Sequence, residues 1–117
     1  MQTREEAVAF GLTFPDTYVD QPFSDLNWTV VRRTRGKKVF LWVFERQGRI
    51  WLNLKCQPEW GRFWQSAYDA VRPAYHLNKE HWMSVILDGT VPAEELEAWI
   101  AESYRLVGGG PRQNKKG

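Results

Sequence analysis

Arg72-Pro73-Ala74-Tyr75-His76-Leu77-Asn78-Lys79-Glu80-His81-Trp82-Met83-Ser84-Val85-Ile86-Leu87-Asp88-Gly89 is the stretch on which the fold turns. Pro73 has no backbone donor and biases Arg72 away from the α region, so a preceding helix ends here and an extended segment begins. Asn78, Lys79 and Glu80 interrupt the apolar pattern. Trp82 to Leu87 then brings together aromatic and branched residues and closes on Asp88-Gly89, a turn signal. The stretch reads as two strands joined by a polar turn.

Upstream of it, Pro58 suits the first turn of a helix, and Trp60, Phe63, Trp64 and Ala67 recur at i, i+3, i+4 and i+7. This spacing predicts a helix over 58–70 with its aromatic stripe turned inward. Further upstream, Trp28 to Thr34, Val39 to Glu45 and Ile50 to Lys55 read as antiparallel strands joined by Arg35-Gly36-Lys37-Lys38 and Arg46-Gln47-Gly48-Arg49. The middle strand is apolar on both parities, so it is expected to be central, with its second face covered by a helix or a second subunit. In the third strand Ile50, Leu52 and Leu54 alternate with Trp51, Asn53 and Lys55, one face core and one mixed. Thr13 to Asn27 carries Pro15, Pro22 and several Asp and Asn residues and reads as an ordered loop anchored by Tyr18 and Phe23. Thr3 and Glu6 form a capping-box pattern that opens a first helix running to about Leu12.

Downstream, Leu96, Trp99, Ile100, Ser103 and Val107 share one side of a last helix starting near Pro92, with glutamates on the other. The glycines from Gly108 end it, and a polar, basic tail over 108–117 is expected to be disordered. The element order is α-β-β-β-α-β-β-α: an α+β fold with a five-stranded antiparallel sheet, as one domain over 1–107.

At 117 residues the chain has room for one core. It has no apolar run of membrane-spanning length and its first residues lack a secretory pattern, so a cytoplasmic, non-membrane protein is expected. Cys56 is the single cysteine, which rules out an internal disulfide and fits a reducing compartment. The net charge of +2 conceals a strong polarity. Residues 1–28 carry one cation against five acids, 32–55 carry eight cations against Glu45 alone, and 88–107 carry five acids against Arg105. The acids of the early loop match no calcium-loop spacing and read as a solvated face, so no metal site is expected.

Several linked motifs resemble the MmcQ/YjbR-like family: Phe14-Pro15-Asp16-Thr17-Tyr18 with Pro22-Phe23, then Gly36-Lys37-Lys38-Val39-Phe40, then Leu54-Lys55-Cys56-Gln57-Pro58-Glu59. The run from Pro73 to Trp82 follows, and after it Val85, Leu87-Asp88-Gly89 and Val91-Pro92. The resemblance covers roughly residues 3 to 107. It implies a small α+β fold, a structural signature at Pro73, Tyr75, His76, Asn78, His81, Trp82, Asp88 and Gly89, and the double-wing DNA-binding role proposed for that family. The element order is also similar to the fold of bacterial secretion chaperones.

His76 and His81 are the only histidines, and a turn between them brings Asn78, Lys79 and either Cys56 or Asp88 into one polar patch. The chain has no nucleophile elbow, phosphate-cradling glycine loop or complete zinc ligand set. The expectation is therefore a non-catalytic protein without a cofactor, with His76, Asn78, Lys79 and His81 serving a structural network. Nucleic-acid binding has the better physical basis. Arg32, Arg33, Arg35, Lys37, Lys38, Arg46, Arg49, Lys55 and Lys79 supply cations, many of them on projecting turns that would act as wings. Trp42 or Trp51 would stack on bases. The expected partner is DNA, bound weakly and without sequence preference; the alternative is an adaptor domain whose cations meet an acidic protein.

Overall fold

The computed structural model describes residues 1–108, and the basic tail anticipated beyond them lies outside the described residues. The elements are α1 (Arg4–Gly11), β1 (Thr17–Asp20), β2 (Thr29–Arg33), β3 (Val39–Arg46), β4 (Arg49–Lys55), α2 (Pro58–Ala67), β5 (Val71–Pro73), β6 (Trp82–Ile86) and α3 (Ala93–Val107). The strands form one antiparallel sheet in the order β1-β2-β3-β4-β6-β5.

The sheet has six strands where five were expected. The additional strand, β1, falls inside the segment read as a loop. Its four residues lie between Asp16, at a positive φ of 56°, and Pro22, too few for a periodicity to show. Pairing with β2, Thr17 against Arg33 through Asp20 against Val30, is what makes it a strand.

Cross-strand partners share a face, so the register sorts the sheet into two surfaces. Val31, Leu41, Leu54 and Met83 lie in one row, and Val43, Leu52, Val85 and Val71 in the next; all eight are buried. The helices cover this surface. α1 starts with Thr3 as cap, its hydroxyl accepting from Glu6 N while Glu6 accepts from Thr3 N, and two acids sit in the first turn where the helix dipole favours them. It comes so close to the sheet that a Cβ on Gly11 would lie 2.9 Å from Leu41 Cδ2. α3 buries Leu96, Trp99, Ile100, Ser103 and Val107, the side read from its periodicity. Ser103 secures it, donating to Phe40 O at 2.6 Å and accepting from Lys55 N at 2.8 Å.

A bulge lets β3 feed this layer with an extra residue. Val31 faces Leu41 but Arg32 faces Val39, leaving Phe40 unpaired, and its ring packs 5.2 Å from Tyr104 on α3.

α2 departs from its expected orientation. Gly61 is its one buried residue, set where a Cβ would come within 2.7 Å of Cys56 Sγ. Trp60 is 51% exposed and Phe63 56%, while Trp64 alone of the stripe reaches inward, 4.8 Å from Trp99. Periodicity identifies an apolar side; only the packing decides whether anything lies against it.

Candidate nucleic-acid interface on the open sheet face

Among the described residues, no helix lies on the other surface of the sheet. Its central row, in register, is Val30, Trp42, Asn53, Ser84 and Arg72. Phe44, Trp51 and Ile86 continue it toward one end of the strands, Lys55 and Trp82 toward the other. Among the described residues, the second-face cover expected for β3 comes not from a helix but from the connections 21–28 and 74–81 of the same chain.

A buried polar triad fixes the second connection to the sheet. Ser84 donates through its hydroxyl to Asn53 Oδ1, Asn53 Nδ2 donates to Tyr75 O at 2.9 Å, and Tyr75 N donates to Ser84 Oγ at 2.9 Å. Asn53 and Ser84 are fully buried, so each bond removes a polar group that would otherwise cost ~1–3 kcal/mol to leave unpaired. Tyr75 is thereby held over the sheet in a stack with Phe44 (5.6 Å) and Trp28, which lies 4.5 Å from Phe44. His76 follows at a left-handed φ of 66°, its ring 4.0 Å from that of Tyr75. Arg46 lies over two rings, 4.4 Å from the centre of Tyr75 and 5.0 Å from that of Trp51.

Three cavities follow one another over this surface. At the β2–β3 end, Arg32, Lys37, Lys38 and Lys55 surround one with Trp42 and Trp82. The central cavity, about 310 Å³, has aromatic walls from Phe23, Trp28, Trp42 and Tyr75, with Asp25 and Asn53 beside them. At the other end Arg46, Arg72 and Lys79 border a third with Trp51, Tyr75 and His76. Trp42 belongs to the first two, and Tyr75 and His76 to the last two. The result is a groove with cationic ends and an aromatic middle.

The structure divides the expected phosphate contacts into two sets. Arg35, Lys37, Lys38 and Arg49 are exposed, and their side chains make no hydrogen bond or ion pair among the described residues. The rest are engaged within the chain. Arg32 pairs with Asp20 at 2.9 Å and donates to Lys37 O; Arg33 turns to the helical side, donating to Tyr104 O at 2.7 Å and lying 3.9 Å over the Tyr104 ring. Lys55 lies 5.9 Å from the Trp82 ring, and Lys79 donates to Ala74 O at 2.9 Å. The two basic turns are not side by side. They sit at opposite ends of the eight-residue β3, roughly 25 Å apart at the rise of an extended strand. Of the two tryptophans considered for stacking, Trp51 is only 3% exposed with its indole donating to Arg46 O, whereas Trp42 is half-buried and borders the groove.

The polar patch around the histidines is not assembled. Asn78 forms the turn, its Oδ1 accepting from Glu80 N and His81 N and its carbonyl from Trp82 N. His81 contributes its carbonyl, to Cys56 N, while its exposed side chain makes no hydrogen bond among the described residues. Pro73 ends β5 opposite Met83. Cys56 is buried against α2, and desolvation pushes its thiol up to about 11, which keeps it protonated and unreactive at neutral pH. Asp88 belongs to the following turn, where Thr90 donates to it from both N and Oγ1 and holds its carboxyl below the ordinary range. Gly89 completes that turn at φ +85°, a conformation for which glycine carries no steric penalty. Among the described residues no three His, Cys, Asp or Glu side chains gather as metal ligands would, and no helix is long and apolar enough to cross a membrane.

Asp25, Trp28, Asn53 and Leu77 border the central cavity without having been singled out from the sequence. Strand parity places Asn53 and Trp42 on one face; nothing local brings residues 23–28 to them.

The fold and groove together define a two-layer α+β domain with a helical back and an open, basic and aromatic front. The YjbR family model matches residues 12–106, and the chain belongs to the YjbR family. It is 31% identical to the uncharacterised protein YyaQ of Bacillus subtilis, with 92% of this chain and 99% of YyaQ covered. It is 35% identical to the uncharacterised protein YbdF of Escherichia coli O157:H7 over 62% of this chain and 59% of YbdF, so it spans under two thirds of that relative. The crystal structure of Deinococcus radiodurans protein DR2400, with family-model domain DUF419, superposes with a TM-score of 0.85 at 33% identity, covering 98% of this chain and 84% of that one.

Proposed function

We propose that this chain is a non-catalytic DNA-binding protein that lays a single strand across its open sheet face. The observation that carries the reading is the groove itself: exposed cations at both ends, with an aromatic floor between them. Phosphates need cations, and unpaired bases need flat apolar surfaces, in that alternation. A span of roughly 25 Å suits about four nucleotides, the short end of single-strand site sizes. Duplex DNA would place phosphates at the turns but leave Trp42 and Tyr75 without exposed base faces to meet. The separation of the turns therefore favours one extended strand over two wings gripping a duplex. A cytoplasmic location belongs to the same reading.

The test is a titration of labelled single-stranded and duplex DNA of equal length at graded salt. Single strands should bind more tightly, with log affinity falling against log salt at about −0.7 per phosphate engaged. Replacing Arg35, Lys37 and Lys38 by Glu should flatten that slope while leaving the unfolding midpoint in place, because the three side chains are exposed. Removal of 111–117 is the control, since Arg112, Lys115 and Lys116 could bind DNA unaided. No binding at low salt, or binding that disappears with those residues, overturns the proposal. An adaptor domain then takes its place, a reading favoured by the exposed Trp60 and Phe63, which offer an aromatic surface of the kind protein interfaces use.

A further inference from the structure

The central cavity differs from the two beside it in charge and in wall geometry. Asp25 is its one charged lining residue. One carboxylate oxygen accepts from Asn27 N at 3.0 Å, and the other makes no hydrogen bond among the described residues. A phosphate would meet a like charge there, whereas Arg32, Lys37, Lys38 and Lys55 on one side and Arg46, Arg72 and Lys79 on the other would attract it.

The walls limit what else fits. Phe23 and Trp42 are 19° from parallel with ring centres 6.3 Å apart, and Trp28 stands at 89° to Trp42 at 6.1 Å. A flat ring between two others needs ~7 Å, two van der Waals contacts of about 3.5 Å. Phe23, 48% exposed on the connection 21–28, is the wall free to shift and open that gap. A quaternary ammonium is roughly spherical and thicker than a flat ring, so it would require the rings to part further than a nucleobase does. The volume, about 310 Å³, lies at the small end of the ~300–1,000 Å³ usual for ligand clefts, which suits one ring system.

We infer that the central cavity is a single-base pocket, taking one unstacked nucleobase between Phe23 and Trp42 with an N–H donor edge turned to Asp25, guanine in preference to the other bases. Guanine presents its N1–H and N2 amino group side by side to one acceptor. Adenine and cytosine offer an amino group next to a ring acceptor, and thymine a lone imino N–H between two carbonyls. The inference rests on the nucleic-acid reading and adds to it a base preference, where the sequence suggested none.

Two measurements on the full chain separate the two claims. The first follows the tryptophan indole N–H resonances as dGMP, dTMP or deoxyribose 5-phosphate is added, with the Trp42 signal identified from Trp42→Phe. Trp42 lines both the central cavity and the cationic one beside it, so the sugar phosphate serves to separate a base in the first from a phosphate in the second. The expected result is a Trp42 shift at lower concentration with dGMP than with dTMP and none with the sugar phosphate. The second compares a thymine octamer carrying one central guanine with the same octamer abasic at that position. The guanine should tighten binding roughly tenfold, as expected for one stacked base. Phe23→Ala should remove that gain, and Asp25→Asn should reduce the preference for guanine; both side chains are exposed, so the fold is not at stake. Equal affinity of the two octamers, with the salt slope intact, overturns the pocket and leaves nucleic-acid binding standing. A Trp42 shift with dGMP but no octamer binding keeps the pocket and overturns the nucleic-acid reading. Neither response overturns both.

Discussion

The two faces of the sheet are built from the same strands and differ in nearly every other respect. On the helical face Leu41, Val43, Leu52 and Leu54 pack against Ile100 and Leu96, and Ser103 is admitted only with both its hydrogen bonds made. On the open face the alternate residues of those strands are Trp42, Phe44, Arg46, Trp51, Asn53 and Lys55, covered among the described residues by connections. Period-2 alternation lets one strand serve a core and a binding surface at once, and the chain pairs an aliphatic parity with an aromatic and cationic one. The first face holds the fold; the second is where the chain can spend side chains on a ligand.

The largest effect should come from the helical face. Leu52→Ala removes a fully buried side chain beneath α3 and should cost ~2–5 kcal/mol, read from the midpoint of urea unfolding. A cost no larger than that of an exposed substitution would erase the distinction between the faces. On the open face, Asn53→Leu leaves the Tyr75 carbonyl without its side-chain donor and the Ser84 hydroxyl proton without its acceptor, and should cost ~1–3 kcal/mol. It should also weaken DNA binding, because Tyr75 loses its anchor. Full stability with full binding would show that the triad does not support the groove.

Smaller again is the tie between β1 and β2. Asp20→Asn breaks the ion pair with Arg32 and, with both groups partly exposed, should cost ~0.2–1 kcal/mol, less at high salt. A loss as large as that from Asn53→Leu would mean that β1 carries more of the fold than an edge strand should. The smallest effect is pH-dependent. The Asp88 carboxyl is held below its ordinary 3.8 chiefly by Thr90 Oγ1, so its contribution is present above that pH and is lost as pH falls through the folded value. Asp88→Asn should flatten the acid limb of the stability profile by lowering stability slightly at neutral pH, where the carboxylate's contribution is present, and should leave DNA binding unchanged. An unaltered acid limb would show that Thr90 does not discriminate between the two protonation states.

Legibility followed the range of the interactions. The capping box of α1, the buried side of α3 and the central place of β3 were readable because each is written within a few residues. Asn78 was readable as a turn former for the same reason. His76 and His81 were misplaced as members of a shared patch, since a turn fixes the spacing of residues but not the direction of their side chains. The cations were visible as a run; that Arg32, Arg33 and Arg46 are engaged by Asp20, Tyr104 and Tyr75 was not, because each partner comes from another part of the fold. The open side of α2 carries the same lesson, since the helix stripe is plain in the sequence and its neighbour is not.

By itself the sequence determined the α+β class, the antiparallel hairpins, the places of the three helices and the concentration of positive charge between residues 32 and 55, all of which depend on local propensity, period and composition; α2 alone ends earlier than read, at Ala67 rather than at residue 70. Only the tertiary structure decided that β1 joins the sheet, that the basic turns stand at opposite ends of β3, and that Phe23, Trp28, Trp42 and Tyr75 meet around one cavity. Those facts come from pairing register and from packing between residues as many as 52 positions apart in the chain, and no local preference encodes contacts of that range.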